Sequence, residues 1–363
     1  MVNKKIIVSC DDLRINMSIL KKTVKTKIIA VIKGDGYGLG LVGFAGKLKE
    51  CGVDFFAVSE VEEALKLREA GLTEEKILLL TPQYKEEIIK ALIENNIVLT
   101  AGSYENAVEY SRIAEALEKV AEAHIKLDTG FGRFGFSDEN KEEVIKALRL
   151  KNLNCPGIYS HFSCAFEKQF DITKKQLEKF NKMVSYIESF DFKFELKHIA
   201  NSSAALRFPE TRLDAVRLGS AILGRLPIPN TYGLKKLAWM ETEVLSVRTL
   251  KADHNIGYGN TCQTKTITDI AIVPIGYKDG YMTEKSPDTF RLRDIIRMTV
   301  NALKMWRKKI YVEINGVNYK LLGRVGMYNI VVDVTGSDVK AGDTVKLNIN
   351  PLLINSNIEK EYR

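Results

Sequence analysis

Apolar positions in the first two-thirds of the chain alternate between two textures. Short continuous apolar runs occupy 28–32, 54–58, 77–80, 97–100, 123–127, 157–160, 196–199 and 215–218. Each is too short for a buried helix and lacks the polar alternation of a half-exposed strand. Each therefore predicts a strand covered on both faces. Between them lie stretches with apolar residues at helical spacing, such as "EVEEALKLREA" (60–70), which stops before Gly71, and "KEEVIKALRL" (141–150). Eight strand-then-helix units in succession predict an α/β fold, a (β/α)8 TIM-like barrel rather than an open sheet.

The texture changes after Leu226. "PIPNTYG" (227–233) is turn-rich and reads as a linker. Beyond it, β-branched runs at 240–247, 267–274, 310–314, 319–322, 330–334 and 344–349 predict a mostly β domain. Asn315-Gly316 between two of them is a hairpin signal. The predicted organisation is a barrel over 1–233 and a β domain over 234–363, interrupted near 286–309 by a basic segment with helical spacing.

Composition narrows the function classes. A 45% hydrophobic and 28% charged chain is an ordinary globular one. No apolar run approaches the ~18–20 residues that span a bilayer, and the N-terminus has no secretory pattern, so a cytoplasmic protein with no membrane partner is expected. Five widely spaced cysteines contain no C-x-x-C pair, which predicts neither a disulfide framework nor a metal site. The net charge of +8 raises a nucleic-acid partner, but lysines and glutamates alternate along most of the chain as on solvated helix faces. No nucleic-acid partner is expected, because an anionic cofactor or substrate is reason enough for local positive charge.

In such a barrel the reactive groups follow the C-terminal ends of the strands, and phosphates sit after strands seven and eight. Here the first strand is followed by Lys33, the fifth by 128–133 with Arg133, and the sixth by His161. Asn201, Ser202 and Ser203 follow the seventh, Gly219 and Ser220 the eighth. Cations at one mouth, with small polar residues where a phosphate belongs, predict a phosphate-bearing ligand.

The same segments carry a resemblance. "AVIKGDGYGLG" (30–40), "IKLDTGFGRFGF" (125–136), "GIYSHFSCA" (157–165) and "HIANSSAAL" (198–206) resemble successive motifs of the alanine racemase family. "DAVRLGSAILG" (214–224), "IGYGNT" (256–261), "VPIGYKDGY" (273–281) and "GRVGM" (323–327) follow in the family's order, so the resemblance covers nearly the whole chain. It implies a pyridoxal 5'-phosphate (PLP) enzyme, a homodimer with shared active sites, and a small amino acid as substrate. The implied reaction is conversion of L-alanine to D-alanine for peptidoglycan synthesis.

Carried over by residue, Lys33 would form the Schiff base with PLP and act as one base. A solvated surface lysine is its ordinary alternative. Racemisation removes a proton from one face of Cα and delivers one to the other, so a second base is expected. The resemblance makes that base Tyr258 of the partner subunit, with His161 and Arg217 stabilising its phenolate. From the residues alone, Tyr258 between two glycines reads as a turn tyrosine. Arg217 would also bond the pyridine nitrogen; a structural ion pair is the alternative. Tyr37, Asn201, Ser202, Gly219, Ser220 and Tyr362 would hold the cofactor, and Arg133, Met327 and Tyr277 the substrate. Lys126 matches a lysine carbamylated in many members, which would turn repulsion from Arg133 into attraction.

Four features depart from the family pattern. Tyr328 stands where aspartate is usual, 282–309 is long, "AILG" replaces a tyrosine-containing turn, and the chain stops at Arg363. These leave a serine or broader-specificity racemase open as the alternative. A non-catalytic PLP carrier would lack the second domain, and a PLP decarboxylase would need a cysteine nearer the C-terminus than Cys262.

Overall fold

The computed structural model describes residues 3–167, 169–286, 288–305 and 309–363. The chain divides into two compact units, Ser9–Leu237 and Met1–Val8 with Ala238–Arg363.

The strands in chain order begin with β1 (Lys5–Val8), followed by β2 (Lys27–Val31), β3 (Phe55–Val58), β4 (Lys76–Leu79) and β5 (Leu99–Ala101). Then come β6 (Ala121–Lys126), β7 (Leu153–Tyr159), β8 (Leu196–His198) and β9 (Ala215–Leu218). The eight strands β2–β9 form a parallel sheet in the order β4-β3-β2-β9-β8-β7-β6-β5. A parallel bridge between Leu78 and Val98 joins its two ends, with Val98 N–H donating to Ile77 O at 2.9 Å. The sheet is thus a barrel, and each of the eight apolar runs contributes one strand.

Helices on the outside follow the amphipathic stretches. Val61–Glu69 is capped reciprocally by Glu60 and Glu63 and buries Ala64 and Leu67. Lys141–Leu148 buries Val144, Ile145 and Ala147. The barrel interior is apolar on one side, where Ile29, Val31, Phe55, Ala57, Leu78 and Val98 meet. Each of the larger side chains among them contributes ~1.5–3 kcal/mol on full burial. Beside this cluster lie buried polar groups: His124 on β6, His198 on β8 and Arg217 on β9.

The other unit is a nine-stranded sheet. Its remaining strands are β10 (Ala238–Glu243), β11 (Ser246–Leu250), β12 (Thr268–Val273), β13 (Tyr311–Ile314), β14 (Val317–Leu322), β15 (Ile330–Asp333), β16 (Thr344–Leu347) and β17 (Glu359–Tyr362). Their order is β11-β12-β15-β14-β13-β16-β10-β1-β17. The turn between β13 and β14 has Asn315 and Gly316 at φ 50° and 82°, the left-handed pair that suits a two-residue hairpin. A helix over Leu292–Met305 lies between β12 and β13. Of the basic segment, residues 287 and 306–308 fall outside the described residues.

Two points differ from the sequence reading. Residues Lys5–Val8, expected within the barrel region 1–233, pair antiparallel with β10 and parallel with β17 instead. The reason is burial: Ile6, Ile7 and Val8 are enclosed almost completely in that sheet. The run 240–247 is also two strands, because on either side of Val244 and Leu245 the chain changes partner, β10 pairing with β16 and β11 with β12.

Candidate active site

The segment after β2 turns with the opposite hand to an ordinary helix. Gly34, Asp35, Gly36, Tyr37 and Gly38 all have φ between 52° and 81°. Such a left-handed run costs a side-chain-bearing residue ~1–2 kcal/mol, which glycine avoids, so alternating glycines make the turn possible. Asp35 is held at both ends: its N–H donates to Glu63 Oε1 at 3.0 Å, and its Oδ1 accepts from Leu41 N–H at 2.9 Å. The turn places Lys33 and Tyr37 at the C-terminal mouth of the barrel.

The loop after β6 is built around Asp128. Its carboxylate accepts from the N–H groups of Gly130, Phe131 and Gly132 at 2.9–3.1 Å, which holds its pKa low despite burial. This closed loop carries Arg133, whose guanidinium lies 4.6 Å from the Phe131 ring. After β8, Asn201 caps the short helix Ser202–Arg207 through Ala204 N–H at 3.1 Å. Ser202 Oγ accepts from Gly219 N–H and Ala221 N–H, both at 3.2 Å, joining the last two strand ends. Gly219 is tightly constrained, since a Cβ there would sit 2.4 Å from the Tyr37 hydroxyl.

These segments enclose a cavity of about 490 Å³. It is lined by Lys33, Tyr37, Lys126, Arg133, His161, Asn201, Ser202, Arg217, Gly219 and Ser220, with Ser59, Thr81, Tyr159 and several apolar residues. Among the described residues, four cations and no carboxylate face this space. Burial, then the charge of Arg133, lowers the Lys33 ammonium below its usual range. Lys126 is more affected: burial, Arg217 and Arg133 bring it down to about 7. Its Nζ lies 4.4 Å from the Tyr159 ring centre. Burial lifts the Tyr37 phenol to about 12, so it stays a neutral donor.

Beneath the cavity runs a chain of basic groups. Arg217 donates to Ser160 O at 2.6 Å and to His198 O at 3.1 Å, and its two terminal nitrogens meet His198 Nδ1 at 2.7 Å and His161 Nδ1 at 3.1 Å. His198 Nε2 meets His124 Nδ1 at 2.9 Å. Burial, and then Arg217's charge, holds His161 and His198 well below the ordinary histidine range. His124 falls to about 3, from burial first. Neutral rings facing a guanidinium must accept at Nδ1, so His161 and His198 each carry their proton on Nε2. Three of the chain's four histidines thus share one network.

Tyr258, Tyr277, Met327 and Tyr362 lie on the other unit. Within that unit the first three come from backbone segments that pack together. Tyr277 N–H donates to Gly326 O at 3.1 Å, and Lys278 N–H to Met327 O at 3.2 Å. A Cβ on Gly323 would meet Ile256 O at 2.7 Å, which fixes the approach of the Tyr258 loop. Tyr258 itself is 74% exposed between Gly257 and Gly259, both at positive φ. Tyr362 is on β17, opposite Val8. Sequence reasoning did not single out His124, His198 or Tyr159. The signal available was a histidine inside an otherwise apolar strand (His124) and another directly before the Asn201 turn.

The fold and this mouth define a class: a (β/α)8 barrel whose mouth gathers cations around an amine of lowered proton affinity. Comparison with known proteins makes it specific. A sequence profile of the alanine racemase N-terminal domain matches residues 8–227, and one of the alanine racemase C-terminal domain matches residues 237–351. Alanine racemase 1 of Caldanaerobacter subterraneus is 34% identical over 339 residues, 91% of this chain and 81% of that relative. The alanine racemase of Methanococcus maripaludis is 35% identical over 328 residues, 88% of this chain and 82% of its own. Among solved structures, alanine racemase of Clostridium difficile superposes with a TM-score of 0.86 at 28% identity, covering 100% of this chain and 96% of that one. Alanine racemase of Bacillus anthracis with bound L-Ala-P gives 0.80 at 27% identity, with 98% and 93% coverage. The chain belongs to the alanine racemase family.

Proposed function

We propose that this protein is a PLP-dependent racemase that interconverts L- and D-alanine, acting as a homodimer in the cytoplasm and supplying D-alanine for peptidoglycan. The observation that carries the reading is the cavity's charge: Lys33, Lys126, Arg133 and Arg217 with no carboxylate among the described residues that line it. Isolated cations at such a site need anions, and a phosphate together with an amino-acid carboxylate supplies them.

The residues present fit the cofactor. The volume suits a ligand of PLP's size, Lys33 offers an amine with lowered proton affinity, and Gly219, lacking a Cβ, lets the Tyr37 hydroxyl come up to the strand end. Lys33 would hold the cofactor covalently. Tyr37, Asn201, Ser202, Ser220, the backbone at Gly219, and Tyr362 would hold its phosphate side. When bound, PLP supplies an electron-withdrawing ring that acidifies the substrate's Cα–H.

The chain's own residues then manage two protons. Lys33 Nζ would take or give the proton on one face of Cα. Tyr258 of the partner subunit does so on the other. Its exposure suits a residue that completes a neighbouring copy's site. A tyrosine serving as a base must first lose its phenolic proton, and the anion it leaves needs a donor. His161 Nε2–H, fixed by Arg217, is suited to that role. Arg217 keeps its proton, with a pKa only down to about 10, and so would leave the pyridine nitrogen unprotonated. Arg133 would face the substrate carboxylate, Met327 would offer a backbone group to it, and Tyr277 would line the entrance. Lys126, partly neutral at pH 7, is suited to add carbon dioxide: its amine attacks the carbon, a proton leaves, and the carbamate anion faces Arg133.

The test is purified protein with added PLP, assayed by chiral chromatography against L-alanine, L-serine and L-lysine. Alanine turning over far faster than the other two supports the reading. Serine or lysine leading would move the assignment to a broader racemase and direct attention to Tyr328.

A further inference from the structure

Among the described residues, almost none pack on the helix Leu292–Met305. Leu292 is 74% exposed, Leu303 71% and Ile296 56%, with Ile295 and Val300 also open. Asp294 is the buried side chain among its described residues, covered by Arg291 at 2.8 Å and Arg297 at 3.1 Å. At ~100° per residue, Leu292, Ile295, Ile296, Met298, Val300 and Leu303 fall on one arc of about 200°. Arg293, Arg297 and Lys304 cluster on the flank within about 40°. A helix of this length is marginal alone in water, so its apolar arc calls for a partner.

Charge and shape select that partner. Between Arg291 and Lys304 stand four cations and one carboxylate, which calls for an anionic surface. A second copy of a chain with net charge +8 is a poor electrostatic match for this face. A helix seated in a protein groove uses a narrow i, i+3, i+4, i+7 stripe. Here the apolar arc exceeds half the circumference and is broken by one small polar residue, Thr299, with the cations gathered beside it. That is the profile of a helix lying at the boundary between lipid headgroups and acyl chains.

We propose that the helix Leu292–Met305 docks the protein on an anionic lipid bilayer, its apolar arc entering the acyl boundary and Arg293, Arg297 and Lys304 level with the phosphates. Among the described residues no helix is long and apolar enough to cross a membrane. Lying on a bilayer is a different state from spanning it. The inference thus departs from the sequence reading, which expected no membrane partner because nothing spans. It stands independently of the chemistry assigned to the barrel.

The experiment is co-sedimentation of the full-length, PLP-loaded protein with large vesicles of phosphatidylcholine alone or mixed equally with phosphatidylglycerol. Binding is expected to the mixed vesicles, little to the neutral ones, and release at roughly 1 M salt, where the Debye length falls to ~3 Å. The double variant Arg293→Glu/Lys304→Glu is expected to partition at least about tenfold more weakly. Leu292→Ser/Ile296→Ser/Leu303→Ser is expected to weaken partitioning with every charge intact. Unchanged racemase turnover and thermal midpoint would show that both variants are folded. No binding to anionic vesicles, equal binding to neutral ones, or undiminished binding of the charge-reversed variant overturns the proposal. So does retention by an acidic polypeptide without vesicle binding, or a drop in oligomeric mass when the apolar residues are changed. If a variant fails to fold, the lipid and salt dependence of the native protein still decides the matter.

Discussion

Replacing Lys126 by methionine removes a buried cation while keeping a side chain of similar length. Lys126 is 6% exposed, and its nearest charges include Arg217 and Arg133. Its ammonium pKa falls from 10.5 to about 7, through burial first and those two cations next. An unfolded chain would keep this proton up to pH 10.5, whereas the folded one releases it near 7. Between those values the unfolded state binds more protons, so the stability of the native protein rises with pH across that window. The interval corresponds to a ceiling on the order of 5 kcal/mol below about pH 7, vanishing above 10.5. Water in the cavity screens part of this, and a realised effect of about 1–2 kcal/mol is expected. In buffer stripped of carbon dioxide, Lys126→Met should therefore be more stable than the native protein at neutral pH. The gap should narrow steadily toward pH 10. Adding bicarbonate should stabilise the native protein alone, as a carbamate anion replaces a cation beside Arg133. The assay is denaturant unfolding of both proteins over that pH range, with and without bicarbonate. A variant less stable than the native protein at neutral pH without carbon dioxide, or a gap that ignores pH, would refute the reasoning.

Three further outcomes are expected. Lys33→Ala should abolish the visible absorbance of protein-bound cofactor, and an unchanged spectrum would remove Lys33 from its role. Tyr258→Phe should slow racemisation from one enantiomer more than hydrogen exchange from the other; equal effects in solvent-isotope measurements would argue against a dedicated second base. Gly219→Ala puts a Cβ 2.4 Å from the Tyr37 hydroxyl and should weaken PLP binding by roughly tenfold or more, read by equilibrium dialysis.

The barrel was legible because each of its strands is a short apolar run closed by a polar strand end, a pattern that parallel sheets covered on both faces impose. The Lys33–Tyr37 turn was half legible: alternating glycines announce positive φ, but a left-handed turn cannot be told from a loop without coordinates. β1 and β17 were not legible. Lys5–Val8 is too short to stand out, and Glu359–Tyr362 is polar at most positions because it is an edge strand. The network of His124, His198, Arg217 and His161 was hidden for a different reason. Its members are up to 93 residues apart in sequence, His124 to Arg217, and meet only because β6, β8 and β9 point side chains into one interior. The motifs supplied Arg217 and His161, and geometry supplied the two histidines behind them.

Enantiomers have equal free energy in water, which gives racemisation a signature that no competing PLP reaction shares. The most direct measurement starts the PLP-loaded protein separately with pure L-alanine and pure D-alanine and follows both enantiomers by chiral chromatography. Convergence of both reactions on equal amounts, with total alanine conserved, is the expected result. A mixture that stops away from equality, or alanine lost to pyruvate or carbon dioxide, would contradict it.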